Sequence, residues 1–267
     1  KQFIDWGGWT LFGKTLHRIK SPIFDFPIIT TNLSYLKLIK AELKKNKINK
    51  YRIILEPSKK NTAPAILASA LIKEIPMSQP LVFFSSDNII GKINIFNKAI
   101  FNHSKYLTDN NIFIFGIKPI SPSSEYGYFL SKKVKNNINK VTKFIEKPNK
   151  RLVKMILKKK GYMNAGIFYA RKDSLINNFK VKQRSIYRNC VDSVKKSILK
   201  KNVYYLNKSY FNNIKEISFD YAILEKSKNV NGIKLNLPLI DLGNWKEIWK
   251  FFKKMNSPHL TKKNTFY

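Results

Sequence analysis

In Leu81-Val82-Phe83-Phe84-Ser85-Ser86-Asp87-Asn88, four apolar residues run without alternation before the chain turns abruptly polar. An unbroken apolar run of this length predicts a strand buried on both faces, the usual state in a parallel sheet. Ligands of open α/β sheets sit just beyond the carboxyl ends of such strands. Asp87 lies there and is a candidate site residue; as a lone acid after a strand, it is equally a cap for the next turn.

Working outward, Thr10 to Ile19 reads as a short helix after a bend at Gly7-Gly8. Pro27–Thr30 and Tyr51–Leu55 read as strands. Leu33 to Lys47 between them has apolar residues at helical spacing. The second strand ends at Glu56-Pro57, because proline cannot continue a ladder. Thr62 is the expected N-cap of a helix over Ala65–Ile75, with Pro64 in its first turn. A helix from about Gly91 to Phe101 and a strand at Ile112–Ile117 follow the opening stretch. The order βαβαβαβ with short connections predicts a doubly wound, mainly parallel, Rossmann-like α/β sheet. The second half is less regular. Strands are expected at Val141–Lys147, Asn164–Ala170 and Val230–Leu235, and helices at Asn149–Lys160, Leu175–Phe179, Ser185–Leu199 and Phe219–Glu225.

A length of 267 residues with 43% hydrophobic content accommodates one large α/β domain. No apolar run is long enough to span a membrane, and Lys1-Gln2-Phe3-Ile4-Asp5 is no signal peptide. One cysteine, Cys190, rules out an internal disulfide and fits a reducing cytoplasm. With three scattered histidines it argues against a zinc site. Lys and Arg number 51 against 16 Asp and Glu, a net charge of +35. Such a field draws in anions, phosphorylated small molecules included. The lysines are spread over nearly every element, and no nucleic-acid-binding motif accompanies them. Compositional drift toward Lys, Asn and Ile is favoured over specific nucleic-acid binding.

Several stretches, in order, resemble one family. Glu56-Pro57 followed by Asn61-Thr62-Ala63-Pro64-Ala65 is similar to the "EP-x-x-x-NTAPA" segment of mannose-1-phosphate guanylyltransferases, a branch of the sugar-nucleotide pyrophosphorylases. The Phe84–Ile89 stretch resembles "P-x-DH-x-I", with Asn88 in place of the usual histidine. Glu125-Tyr126-Gly127-Tyr128 resembles "TGYGY", and Phe144–Pro148 resembles "FVEKP". Tyr162–Phe168 is similar to "WNSGIF", Ile217–Glu225 to "SIDYAVME" and Asp241–Trp245 to "DVGSW". The family's glycine-rich "GG-x-G-x-R-L-x-P" loop, which follows its first strand and cradles phosphates, is not in this sequence. Lys1-Gln2-Phe3 resembles the "PKQF" just downstream. The sequence is therefore expected to begin inside a longer natural chain, without the first strand and phosphate loop, and to turn over weakly or not at all as it stands. The family's C-terminal extension is also missing.

The resemblance implies a nucleotidyltransferase domain over 1–256, with a nucleotide-binding half to about 120, a sugar-binding half from about 121, and a tail at 257–267. It implies formation of GDP-mannose and pyrophosphate from GTP and mannose-1-phosphate, assisted by Mg²⁺. Such chemistry holds two polyanions in line and needs no general base. Mg²⁺ keeps several waters and needs one or two carboxylates; the resemblance assigns these to Asp87 and Asp241. It assigns Lys1 and Lys147 to the phosphates as catalytic lysines. Glu56, Asn61, Thr62 and Ser86 go to the nucleotide. Tyr126, Gly127, Glu146, Lys147, Asn164, Gly166 and Asp220 go to the sugar phosphate, with Glu225 as support. A homodimer is compatible with the sequence; no membrane or specific nucleic-acid partner is expected. Another sugar or base, an inactive family-derived binding protein, and a basic nucleic-acid binder remain open alternatives.

Overall fold

The computed structural model describes residues 1–119, 121–134, 138–242 and 245–254. The expected tail at 257–267 lies outside the described residues, as do Gly243 and Asn244 of the Asp241–Trp245 stretch. Helix α1 (Leu11–Arg18) starts where the Thr10 hydroxyl accepts the Gly13 N–H at 2.8 Å. Strand β1 (Ile28–Thr31) is followed by a 3-10 turn and α2 (Leu36–Lys45), and β2 (Arg52–Leu55) by α3 (Thr62–Leu71). Next come β3 (Pro80–Phe83), β4 (Asn88–Ile90), α4 (Ile93–Ser104) and β5 (Ile112–Ile117). The second half contains β6 (Tyr128–Lys133), β7 (Asn139–Ile145), α5 (Lys150–Lys158) and the long β8 (Tyr162–Arg171). After these run α6 (Lys172–Lys182), α7 (Arg184–Lys195), β9 (Ile198–Lys200), β10 (Val203–Tyr205), α8 (Lys208–Asn212) and α9 (Phe219–Ala222). The chain closes with β11 (Val230–Leu235), β12 (Leu239–Asp241) and α10 (Trp245–Lys254).

Three sheets result: β1-β2-β10-β9, β3-β8-β5-β11-β7-β6, and the ribbon β4-β12. The α/β class and βαβ crossovers stand, but the pairing is mixed instead of mainly parallel. Only β1/β2, β2/β10 and β5/β11 are parallel among the described pairs. The reason is β8, which runs antiparallel between β3 and β5 and separates strands adjacent in sequence. An unbroken apolar run reports burial on both faces and is silent on direction.

Strand β5 shows how the layers close. All six of its residues are buried. Ile112 and Ile114 face a core shared with α3, α6, α7 and α9, while Phe113, Phe115 and Ile117 face one shared with α4 and α5. A period of two splits one strand between two helical layers. Strand β3 is less enclosed than expected, because among the described residues it pairs only with β8 and its other edge borders a cavity. Asn61, with φ of 67°, caps α3 in place of Thr62: its Oδ1 accepts the Thr62 N–H at 2.8 Å. Thr62 Oγ1 instead accepts the Phe219 N–H at 2.9 Å, tying α3 to α9.

Phe129 is fully buried in the larger core. A Cβ added at Gly116 would collide with its ring and stand 2.8 Å from Tyr162 Cβ; one at Gly232 would stand 2.7 Å from the same ring. Overpacking of this kind costs about 1–3 kcal/mol. Gly116→Ala is expected to lower stability by that amount in urea titration. Adding Phe129→Leu should make the pair less destabilised than the sum of the single variants. An additive result would show that the ring is not what Gly116 accommodates.

Candidate functional site

The ribbon joins two distant parts of the chain. Asp241 pairs with Asn88, Ile240 with Ile89 and Leu239 with Ile90. One step further, the Leu242 N–H donates to the Asp87 carbonyl at 3.2 Å. Asp87 and Asp241 therefore stand on neighbouring strands at the same end of the ribbon. Lys1 Nζ lies 3.2 Å from Asp87 Oδ2 and donates to the Leu242 carbonyl at 3.0 Å. Ser85 Oγ donates to Asp87 Oδ1. The backbones of Asp87 and Asp241 are thus brought within one ladder step of each other, with Lys1 on Asp87, and the ammonium there shows that the corner accepts a cation. Its donors are hard carboxylate oxygens, which suit Mg²⁺. Among the described residues no group of three or more His, Cys, Asp or Glu could hold a metal. Further ligands would have to be water or phosphate oxygens, the usual case for Mg²⁺.

A second group forms where β6, β7 and β8 meet. Tyr128 pairs with both Ile145 and Met163, so Gly127 adjoins Glu146 and Asn164. Asn164 N–H donates to the Gly127 carbonyl at 2.8 Å, and its Nδ2 to Asp220 Oδ1 at 2.9 Å. A Cβ on Gly127 would stand 2.5 Å from Glu146 Oε2, so a side chain here would displace that carboxylate. Glu225 Oε1 accepts the Glu146 N–H at 2.9 Å, the supporting role expected of it. Burial, then the neighbouring Asp220 charge, pushes the Glu146 carboxyl up to about 7, against the pull of Lys147. Burial likewise pushes Asp220 up to about 6. Lys147 has φ of 47°, uncommon for a side-chain-bearing residue and more so before a proline. Backbone of this kind often marks a functional position.

An apolar cavity of about 530 Å³ lies between the facing edges of β1 and β3, and Thr62, Ser86 and Gly166 line it. Gly166, at φ of 65°, follows Asn164, whose Oδ1 accepts its N–H at 3.3 Å. Phe168, two residues on, pairs with Phe83 of β3. The cavity is thus flanked by the strand that feeds Asp87 and by the strand that carries Asn164. Glu56 and Asn61 do not line it. The Glu56 carboxyl is turned inward, with Oε1 buried and without a hydrogen-bond partner, and burial raises it to about 8. Asn61 is exposed and spends its side chain on the cap. Tyr126 packs beside the core under α4 and α5.

Sequence reading missed Arg18. Its Nη2 donates to the Asn88 carbonyl at 2.6 Å, and its guanidinium lies 5.0 Å from the Phe84 ring centroid. It holds the strand end that presents Asp87. The available signal was an arginine in the last turn of an amphipathic helix, in a chain whose cations are mostly lysine.

The chain matches the nucleotidyl transferase family over residues 1–257. It is 28% identical over 258 residues to a mannose-1-phosphate guanylyltransferase of Escherichia coli, covering 93% of this chain and 55% of that protein. The chain spans about half the length of the curated relatives it matches. In fold it is similar to a mannose-6-phosphate isomerase from Helicobacter pylori, with a TM-score of 0.79 at 24% identity over 90% of this chain and 93% of the other. It is also similar to a mannose-1-phosphate geranyltransferase from Thermus thermophilus, with a TM-score of 0.76 at 22% identity over 94% of this chain and 71% of the other. The family match across nearly the whole chain makes this chain a member of the nucleotidyl transferase family.

Proposed function

We propose that this chain is a mannose-1-phosphate guanylyltransferase domain that forms GDP-mannose and pyrophosphate from GTP and mannose-1-phosphate. The observation that carries this reading is the ribbon end, which brings the backbones of Asp87 and Asp241 to neighbouring positions with Lys1 paired to Asp87. In the proposed reaction a phosphate oxygen of the sugar phosphate attacks the α-phosphorus of GTP. A new P–O bond forms as the bond to the β-phosphate breaks and pyrophosphate leaves. The nucleophile is already anionic, so the residues position and neutralise; none needs to remove a proton. Lys1 and Lys147 act as point charges on the phosphates. Glu146 and Asp220, with Asn164 between Asp220 and the Gly166 backbone, take the sugar hydroxyls. Asp87 and Asp241 would hold Mg²⁺, which supplies charge neutralisation on the phosphates when bound. Support for mannose and guanine comes from the Asn61–Pro64 resemblance and from the E. coli relative's name.

A panel of nucleoside triphosphates and sugar 1-phosphates, read by pyrophosphate release and by calorimetric binding of the sugar nucleotides, tests the reading. GTP with mannose-1-phosphate and GDP-mannose are expected to lead the panel. Preference for uridine or thymidine nucleotides would move the chain to another branch. In the protein carrying the family's glycine-rich loop upstream of Lys1, Asp241→Asn should lower Mg²⁺-dependent turnover by about 10²-fold or more, the scale for removing one charge-stabilising group, with an unchanged thermal midpoint. Wild-type rates in that variant would remove Asp241 from the metal site.

The raised carboxyls set a direction for stability. Each of Glu56, Glu146 and Asp220 binds its proton more tightly folded than unfolded. Their contribution is therefore complete below the ordinary carboxyl range and lost as pH rises through about 6 to about 8. The thermal midpoint is expected to fall from pH 5 to pH 8.5. Glu56→Gln, a neutral isostere, should flatten the upper part of that fall and raise the midpoint at pH 8.5 by roughly 2–4 °C for each kcal/mol relieved. An unaltered pH profile in Glu56→Gln would show that this carboxyl titrates normally.

A further inference from the structure

A second cavity, of about 550 Å³, lies against the outer side of α1 and the start of α4. Lys14, His17, Arg18, Lys20 and Lys92 give its lining a basic character, and no acidic residue lines it. A basic lining alone would mean little in a chain of +35, where most surfaces carry lysine. Three further observations set this place apart. Arg18 is only 5% exposed, and its Nη1 is buried with no hydrogen-bond partner. No ion pair to Arg18 is found among the described residues, and burial lowers it to about 10. A buried guanidinium lacking a carboxylate is costly until an anion supplies the acceptor.

Asn97 carries the second orphan, with Oδ1 buried and unpartnered. An amide flip would turn its NH₂ to that position as a donor. Third, α4 begins at this cavity with no side chain capping it, after Lys92 in the left-handed region at φ of 50°. A 12-residue helix start carries free N–H groups and a partial positive charge, both suited to phosphate. The donors converge from two elements on one concave, acid-free site.

The geometry points to a second anion site here, taking phosphate or a small phosphate-bearing anion, distinct from the site at Asp87. Arg18 touches both. Through Nη2 it holds the carbonyl of Asn88, the ladder partner of Asp241. An anion in this cavity would bear on the ribbon through Arg18 without entering the cavity between β1 and β3.

Calorimetric titration of the protein with inorganic phosphate in about 0.1 M salt, where long-range attraction is screened, tests this. Saturable binding is expected. Lys14→Glu/Lys92→Glu should weaken it about tenfold or more, and the milder Lys14→Gln/Lys92→Gln should weaken it in the same direction. Lys158→Glu/Lys159→Glu at the α5 end, an equal change of charge outside this lining, should leave it intact, and so should Lys147→Ala. Absence of saturable binding, or wild-type affinity in both Lys14/Lys92 variants, overturns the site. Loss in Lys147→Ala would assign the phosphate to the site already described and equally overturn it. Because the probe is phosphate alone and the readout is binding, failure of the guanylyltransferase reading leaves this test unaffected.

Discussion

The candidate site rests on the pairing of β4 with β12, a ladder of three residues from parts of the chain more than half its length apart. So short a ribbon is not stable alone, and closing so long a loop costs entropy. Its two faces supply the compensation. Ile89 and Ile240 pack with Trp6, Leu11, Leu242 and Ile248, while Ile90 and Leu239 pack toward the core under α4. Gly91 closes the other end: its N–H donates to the Pro238 carbonyl at 2.9 Å, and a Cβ there would stand 2.7 Å from the proline ring. The carboxylates are therefore positioned by apolar side chains that alternate around them.

That arrangement explains which parts of the fold were legible in the sequence. β5, α1 and β11 could be read closely because their patterns are local: an apolar run, a capped amphipathic turn, a bounded β-branched segment. β4, β12, β9 and β10 could not. Each has three residues, too few to establish a period; β4, β12 and β10 are strands because a remote partner supplies their hydrogen bonds, and β9 because it folds back on β10. Strand direction was illegible for the same reason. β8 is apolar on both faces whether its neighbours run with it or against it, and the antiparallel outcome is a property of the whole chain path.

The site divides similarly. Motif resemblance singled out Asp87, Glu146, Asn164, Asp220 and Asp241, and the ladders, with the Asn164–Asp220 hydrogen bond, bring them into two groups. It had no means of telling that Glu56 turns inward, because a glutamate at a strand end can point either way and only tertiary packing decides. Nor did it single out Arg18, whose importance lies in one hydrogen bond to a backbone carbonyl. Thr62 was expected to cap; Asn61 takes that task because its side chain tolerates the left-handed backbone needed there. The threonine hydroxyl is then free to bridge to α9.

A net charge of +35 would suggest that every carboxyl here is held ionised by surrounding lysines. Glu56, Glu146 and Asp220 show the opposite, each raised, with burial as the largest cause. Distance resolves the conflict. Exposed lysines act through water and are screened within about 8–10 Å at ordinary salt, whereas desolvation acts on the carboxyl itself. Only Lys147, beside the group, pulls appreciably on both Glu146 and Asp220. The basic shell and the acidic interior thus act almost independently. In the proposed reading the shell would raise the local concentration of phosphorylated ligands, while the enclosed carboxyls, raised by burial, would be held ready for sugar hydroxyls. A chain so basic can therefore gather polyanions at its surface and still keep, a few ångströms inside, a polar site that its own lysines do not saturate.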